Sequence, residues 1–203
     1  MIELGTPHGP ARAHLHEVDS PRALLVLGHG AGGGVTAPDL VAATQAAKAA
    51  GVGVALVEQP YRVAGRRSPA PARQLDAAWV AVVEQLRGDV PLVTGGRSSG
   101  ARVACRTAAE TGATGVICLA FPVHPPGRPE KSRLDELDAV DVPVLVVQGR
   151  RDPFGMPPDG PNRTVAVVAG DHGLKADRPA VAAAVGDWLS HVVRGGAPVR
   201  GGM

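Results

Sequence analysis

The amino-acid sequence predicts an α/β fold whose sheet is mostly parallel and doubly wound, with an antiparallel N-terminal edge. Two observations carry this prediction. Short apolar runs of strand length recur along the chain and alternate with segments of helical periodicity. Most of these runs are apolar throughout, as is typical of strands that are buried on both faces of a parallel sheet. With 203 residues the chain can bury one full core, and we assign residues 1–194 to that domain.

Apolar patterning predicts each element of the first half in turn. Residues Ile2–Glu17 alternate apolar and polar side chains, which predicts an exposed antiparallel hairpin. Continuous apolar runs predict buried strands at Ala23–Leu27 and Val52–Val57. A helix is predicted between them, over Pro38–Ala50, and the glycine that follows is expected to end it. A further helix is predicted over Ala72–Leu86, where apolar residues recur at helical spacing.

The second half repeats this alternation. Its apolar runs predict four strands, at Pro91–Thr94, Gly115–Ala120, Val144–Gln148 and Thr164–Val168. Its helices are predicted at Ala101–Glu110, Lys131–Leu137 and Arg178–Val193. The short connection between the second and third of these strands leaves no room for a cap domain. Residues 195–203 are rich in glycine and proline, and we predict that they are disordered.

Composition argues against several kinds of partner and cofactor. The formal net charge is only +2 and aromatic residues make up 2% of the chain, which disfavours nucleic-acid binding. The N-terminus does not read as a signal peptide and no apolar run could span a bilayer, so we expect a cytoplasmic protein without a membrane segment. Cys105 and Cys118 follow no metal or redox spacing and are expected to be buried, reduced thiols. No metal or organic cofactor is expected, and the sequence does not determine the oligomeric state.

One glycine-flanked serine lies between a predicted strand and a predicted helix. The segment Gly96-x-Ser98-x-Gly100 matches the nucleophile elbow, a sharp turn that exposes a serine and tolerates only small neighbours. The helix behind it would direct N–H groups and its positive dipole end at a developing oxyanion. A glycine-rich turn with a helix-capping serine explains the same five residues equally well.

Other candidate groups follow neighbouring strands, and in parallel sheets ligands bind at the carboxyl ends of the strands. Gly28–Gly34 is a glycine-rich loop that could present backbone N–H groups to a cleft. Its glycines at 28, 30 and 33 also match a dinucleotide fingerprint, with Glu58 as the acidic residue. That alternative is weaker.

An acid and a base complete the set. Asp152 follows the strand Val144–Gln148, and His172 follows Thr164–Val168. Each residue alone is usually explained by turn chemistry. Together with the glycine loop, these groups follow four strand ends. The chain order Ser98, Asp152, His172 is that of the triad in α/β serine hydrolases. Asp171 is adjacent to the histidine, but neighbouring residues rarely present both side chains to one another, so Asp152 is preferred.

The chain resembles small α/β-hydrolases without a lid, of the dienelactone-hydrolase-like group. More closely, it is similar to the bacterial group related to testis-expressed protein 30 and to subunit 3 of the KAT8 regulatory NSL complex. The segments that carry the resemblance are Gly28–Gly32, Glu58–Tyr61, Gly65–Arg67, Thr94–Gly100, Phe121–Gly127, Val147–Gly155 and Gly170–His172. They imply an α/β-hydrolase fold over nearly the whole domain. Ser99 departs from the methionine that relatives often carry, and dienelactone hydrolases proper use a cysteine where this chain has Ser98.

The combined observations predict a serine hydrolase that cleaves esters or thioesters of a small-molecule acyl substrate. Ser98, His172 and Asp152 would act as nucleophile, base and acid, and the N–H groups of Ala31 and Ser99 would form the oxyanion hole. The predicted pocket residues are His29, Gly32, Tyr61, Arg97, Phe121, His124 and Phe154. Loop arginines at 62, 66, 67, 97, 150 and 151 either bind an anionic substrate or solvate the loops. The alternatives are an inactive scaffold with this fold, or a peptidase or acyltransferase with the same triad.

Overall fold

The computed structural model describes residues 1–193. Its strands are β1 (Ile2–Leu4), β2 (Ala11–His16), β3 (Ala23–Gly28), β4 (Val52–Glu58), β5 (Leu92–Arg97), β6 (Gly115–Leu119), β7 (Val144–Gly149) and β8 (Arg163–Val168). Its helices are α1 (Pro38–Ala49), α2 (Pro60–Val63), α3 (Ala72–Leu86), α4 (Ser99–Thr111), α5 (Leu134–Asp138) and α6 (Arg178–Val192). The predicted disorder of residues 195–203 lies outside the described residues.

All eight strands form one sheet in the order β1-β2-β4-β3-β5-β6-β7-β8. From β4 to β8 every neighbouring pair is parallel, whereas β2 pairs antiparallel with both β1 and β4. The predicted fold class, a mostly parallel sheet with an antiparallel N-terminal edge, is confirmed. Strand order reverses at β3, so the loops after β3 and β5 open onto the same crevice.

Helices cover both faces of this sheet, as a doubly wound fold requires. On one face α1 packs against α6 over Leu25, Ile117 and Leu145. On the other face α3 packs against α4, above a core that includes Trp79 and Val146. The neighbouring residues Leu145 and Val146 thus enter opposite cores, because successive side chains of a strand point to opposite faces.

The strand before the elbow is longer than predicted. β5 continues through Gly95 and Gly96 to Arg97, and the turn consists of little more than Ser98. These two glycines pair with β6, and a Cβ at Gly95 would collide with the carbonyl oxygen of Ile117. Glycine is depleted in strands generally, but here close approach of backbones requires it. α4 correspondingly begins at Ser99, two residues before the predicted start.

The connections hold no additional domain. The segment between β6 and β7 contains only the short α5, so no cap domain is formed by the residues that the structure describes. The predicted loop after β4 contains one further helical turn, α2, which begins with Pro60 at a favoured first-turn position. Both cysteines are free and buried, as predicted, with their sulfur atoms 3.5 Å apart. Among the helices of residues 1–193, none has the length and apolar character needed to cross a membrane.

Candidate active site

Ser98 occupies a strained turn between β5 and α4. Its backbone dihedrals are φ 51° and ψ −106°, a region that non-glycine residues rarely adopt. A Cβ at Gly96 or at Gly100 would lie 2.6 Å or 2.5 Å from the carbonyl oxygen of Gly28. The spacing of the motif therefore has a steric cause. β3 runs so close beneath the turn that only glycine fits on either side of the serine.

Ser98, His172 and Asp152 form one continuous hydrogen-bonded chain. The Ser98 Oγ lies 2.9 Å from Nε2 of His172, and Nδ1 of His172 lies 2.8 Å from Oδ2 of Asp152. An ionised carboxylate can only accept, so Nδ1–H donates to Asp152 and Nε2 is left to accept the serine proton. The Asp152 side chain is fully buried, whereas that of His172 is 17% exposed and open to the cleft.

Asp152 is itself held by two further donors. The backbone N–H of Phe154 donates to Oδ1 at 2.8 Å, and the Nε2 amide of Gln148 donates to Oδ2 at 2.9 Å. Gln148 is completely buried at the end of β7, and its Nε2 also lies 3.0 Å and 2.8 Å from the carbonyl oxygens of Phe121 and Gly155, so its two N–H groups are shared among three acceptors. Sequence reasoning assigned Gln148 no role. The available signal was a large polar side chain within an otherwise apolar strand.

Asp171 takes a different position. Its Oδ1 accepts from the backbone N–H of Gly173 at 2.9 Å, so it stabilises the turn that carries His172. Among the hydrogen bonds of the described residues, the imidazole contacts Ser98 and Asp152. Phe154 stacks on the imidazole, with ring centroids 4.0 Å apart, and thereby restricts its rotation.

The glycine loop after β3 is anchored from beneath by His29. Its Nε2 accepts from the backbone N–H of Gln59 at 3.1 Å, so Nδ1 carries the proton and donates to the carbonyl of Gly30 at 2.8 Å. Burial is the main cause that lowers the pKa of His29, which favours this neutral form. The side chain is 3% exposed. His29 therefore shapes the loop from below and does not face the cleft.

Tyr61 fixes the next peptide of this loop. Its hydroxyl donates to the carbonyl oxygen of Ala31 at 2.9 Å. Within residues 1–193 the N–H of Ala31 donates to no protein acceptor. Ser99 is the first residue of α4, where an N–H has no acceptor within its own helix. Both predicted oxyanion donors thus lie beside Ser98 with N–H groups available to a ligand.

Arg97 connects the elbow to two other elements. Its Nε lies 2.9 Å from Oδ2 of Asp39 on α1, and its Nη2 donates to the backbone carbonyl of His172 at 2.9 Å. The Asp39 carboxyl is fully buried, and burial raises its pKa although the guanidinium opposes that shift. Arg97 therefore supports the histidine loop in addition to bordering the cleft.

The cleft at Ser98 is a cavity of about 410 Å³, which we call the Ser98 cavity. Its walls are Ala31, Gly32, Pro69, Arg97, Ser98, Ser99, Arg102, Pro122, Arg133, Phe154 and His172. Among the predicted pocket residues, Gly32, Arg97 and Phe154 line it. Sequence reasoning missed Arg102, which lies one helical turn after Ser98, and also Pro69, Pro122 and Arg133, which reach the cavity from segments distant from Ser98 in the chain.

The other four predicted pocket residues lie outside the Ser98 cavity. His29 and Phe121 are buried beneath it in the packing of the loops. Tyr61 directs its hydroxyl at a loop carbonyl and borders a separate depression with Arg66 and Arg67. His124 bonds through Nδ1 to the carbonyl of Pro125 at 2.8 Å. Each of these rings supports the loops around the cavity.

No metal centre is formed by the part of the chain that the structure describes. Groups of three or more His, Cys, Asp or Glu side chains placed to hold an ion are absent from residues 1–193. The Gly28–Gly34 loop, considered above as a dinucleotide site, faces Ser98 through Ala31 and Gly32.

Several solved structures share this fold. Est1E from Butyrivibrio proteoclasticus, in a structure with ferulic acid bound, matches with a TM-score of 0.80 at 17% identity, over 96% of this chain and 100% of that one. XC6422 from Xanthomonas campestris, described as an α/β serine hydrolase without lid, matches with a TM-score of 0.76 at 21% identity, over 98% of this chain and 95% of that one. A dienelactone hydrolase from Anabaena variabilis matches with a TM-score of 0.72 at 16% identity, over 94% of this chain and 95% of that one.

The sequence comparison assigns the family. A search of curated protein sequences found no significant match. The model of the alpha/beta hydrolase domain family matches residues 21–183, from the residues before β3 into α6, and this span includes Ser98, Asp152 and His172. This span is most of the chain, and the chain therefore belongs to the alpha/beta hydrolase domain family.

Proposed function

We propose that the protein is a serine esterase that cleaves carboxylic esters or thioesters of small acyl substrates through a covalent acyl-enzyme. One observation carries the proposal: Ser98, His172 and Asp152 form an unbroken hydrogen-bonded chain, and its serine end lies on a strained, cavity-facing turn. A nucleophile, a base within hydrogen-bond reach and a third group that orients the base are the parts that acyl transfer requires.

The geometry allows each proton to be followed. As Ser98 Oγ bonds to the acyl carbon, its proton passes over 2.9 Å to Nε2 of His172. Asp152 stabilises the resulting imidazolium and keeps Nδ1 protonated. Collapse of the tetrahedral intermediate breaks the bond to the leaving group, which takes the proton from Nε2. Water then attacks the acyl-enzyme and gives its proton to Nε2. Collapse of this second tetrahedral intermediate breaks the bond between Ser98 Oγ and the acyl carbon, and Oγ takes the proton back from Nε2 as the carboxylic acid leaves.

The oxyanion would be held by backbone donors. The N–H groups of Ala31 and Ser99 flank Ser98 from the glycine loop and from the start of α4. Because Tyr61 holds the Ala31 carbonyl and His29 holds the Gly30 carbonyl, the loop would not need to reorganise as charge develops. This preorganisation is the reason that we assign both aromatic rings to loop support.

The names of the structural neighbours are consistent with ester chemistry, since they include an esterase from Pyrococcus furiosus, a lidless serine hydrolase and a dienelactone hydrolase. A serine nucleophile argues against the lactone substrate of the last. Membership of the bacterial group related to testis-expressed protein 30, and a cytoplasmic location, belong to the same proposal and rest on the sequence reasoning above.

Covalent labelling tests the proposal directly. We expect a fluorophosphonate probe to label the wild-type protein at one site, and peptide mass spectrometry to place the adduct on Ser98. Prior heating should abolish labelling, because the probe reports an activated serine in the folded site. A folded wild-type protein that does not react would favour the scaffold alternative.

Gln148 should act as a positioning residue for the acid. Gln148→Met keeps the side-chain volume but removes the donors to Asp152 and to two backbone carbonyls. We expect kcat to fall by about tenfold to a hundredfold, as small misplacements of catalytic groups do. KM should hardly change, because Gln148 does not line the Ser98 cavity. Gln45→Met on the exposed face of α1 is the matched control, and equal kinetics in both variants would contradict the assignment.

A further inference from the structure

The walls of the Ser98 cavity are charged with one sign. Three arginines, Arg97, Arg102 and Arg133, line it, and none of its described wall residues is an aspartate or a glutamate. Guanidinium groups are always charged at physiological pH and carry planar arrays of donors. An arginine that already has a carboxylate partner in the protein is less available to a substrate.

Two of the three are paired. Arg97 contacts the buried carboxylate of Asp39 at 2.9 Å. Arg102 donates from Nε and Nη2 to the two oxygens of Glu136, at 2.7 and 2.6 Å. Glu136 also accepts a hydrogen bond from Arg106 at 3.2 Å, so two guanidinium groups share the negative charge of its carboxylate.

Arg133 has no such partner within residues 1–193. Its guanidinium takes part in no ion pair and no hydrogen bond there, although the side chain is half-buried. Its backbone is well fixed, since its N–H donates to the carbonyl of Val123 at 2.7 Å and its carbonyl accepts from Glu136 N–H at 3.2 Å. Burial, and then the positive charge of Arg102, lower the pKa of Arg133, and the more distant carboxylate of Glu136 opposes that shift. The site therefore holds one guanidinium without a direct carboxylate contact beside the candidate nucleophile.

We propose that the Ser98 cavity selects esters that carry a carboxylate, which Arg133 binds with Arg102 as its neighbour. One unpaired guanidinium matches one negative charge, and its two parallel donors match the two carboxylate oxygens. A neutral ester would leave Arg133 half-buried without an anion. A cavity of about 410 Å³ holds a small acid monoester. This inference rests on the proposed esterase function and narrows its substrate class.

The carboxylate could belong to the acyl group or to the alcohol, and paired substrates distinguish the two sources. On the acyl side, p-nitrophenyl hydrogen glutarate is compared with the neutral p-nitrophenyl valerate. On the alcohol side, p-acetoxybenzoate is compared with p-acetoxybenzamide. For each pair the measured quantity is the ratio of kcat/KM for the anionic ester to that for the neutral ester, corrected for the uncatalysed hydrolysis of each.

We expect the wild-type ratio to exceed one in at least one pair, and the side on which it does so identifies the source of the carboxylate. In Arg133→Gln that ratio should fall by about tenfold or more, because hydrogen bonds to charged groups are stronger than neutral ones. Arg133→Lys should recover part of it. Arg128→Gln removes the same charge from an exposed residue of the same loop outside the cavity, and should leave the ratio unchanged.

Two outcomes overturn the inference in distinguishable ways. If the wild type hydrolyses the neutral esters with no preference in either pair, or if Arg133→Gln keeps the wild-type ratio, the carboxylate site is wrong and the esterase proposal stands. If neither neutral nor anionic esters acylate Ser98, the proposed function fails and this inference fails with it.

Discussion

Ser98→Ala is expected to reduce kcat for an activated ester such as p-nitrophenyl acetate by about 10⁶-fold, the size found when a triad serine is removed from a serine protease. The variant lacks the Oγ that lies 2.9 Å from His172, so no acyl-enzyme can form. The N–H groups of Ala31 and Ser99 remain, and they should support only weak residual hydrolysis by water.

The same substitution should not damage the fold. Alanine has a Cβ as serine does, so the backbone strain at φ 51° is unchanged. The expected result is therefore an inactive variant with a wild-type melting temperature, measured by steady-state kinetics and circular dichroism. Ser190→Ala on α6 is a matched control far from the cavity and should keep full activity. If the kcat of Ser98→Ala equals that of the wild type, the assignment of Ser98 as the nucleophile is wrong.

The strand ends of this fold were predictable because their chemistry is local. A run of apolar residues followed by glycine and a polar group indicates a buried strand and its carboxyl end. Parallel pairing then places Gly28, Ser98 and the loops of Asp152 and His172 at one edge. The choice of Asp152 over Asp171 followed from covalent geometry alone, and the structure places Asp152 at the imidazole.

The walls of the cavity were not predictable in this way. Arg102 lies one helical turn beyond Ser98 and Arg133 precedes α5, and nothing in their local patterns distinguishes them from arginines on an exposed surface. Their position depends on how α5 packs against α4. Conversely, His29 and Phe121 have the residue types of a pocket but are buried beneath the loops. In both cases the position of the side chain depends on packing between segments that are distant in the chain, and local sequence patterns do not reveal that packing.

Arg97 illustrates a third limit. Its place in the elbow indicates a residue at the cleft, and it does line the Ser98 cavity. The sequence gives no sign that Asp39, fifty-eight positions earlier, will be buried against its Nε. That ion pair joins α1 to the loop of His172 through a single side chain. The charge of Arg97 is therefore largely committed within the protein, which leaves Arg133 as the cation that a substrate can reach.

Asp152→Asn is expected to lower kcat by about 10⁴-fold, as the equivalent change does in a serine protease. Oδ1 of the new amide can still accept from the Phe154 N–H, which places Nδ2 opposite Nδ1 of His172. An amide N–H there favours the imidazole tautomer with its proton on Nε2, and that nitrogen can then no longer accept the Ser98 proton.

Asp171→Asn is the matched control, because it removes the same charge one residue from His172. Its Oδ1 can still accept from Gly173 N–H, so the turn should persist and activity should stay close to that of the wild type. Both variants are measured by kcat and kcat/KM on one activated ester. The opposite pattern, with Asp152→Asn active and Asp171→Asn inactive, would transfer the role of the acid to Asp171. The two 2.8 Å contacts of Asp152, one to the imidazole and one to the Phe154 N–H, argue against that pattern, since a carboxylate held on both oxygens can orient a base that must not rotate.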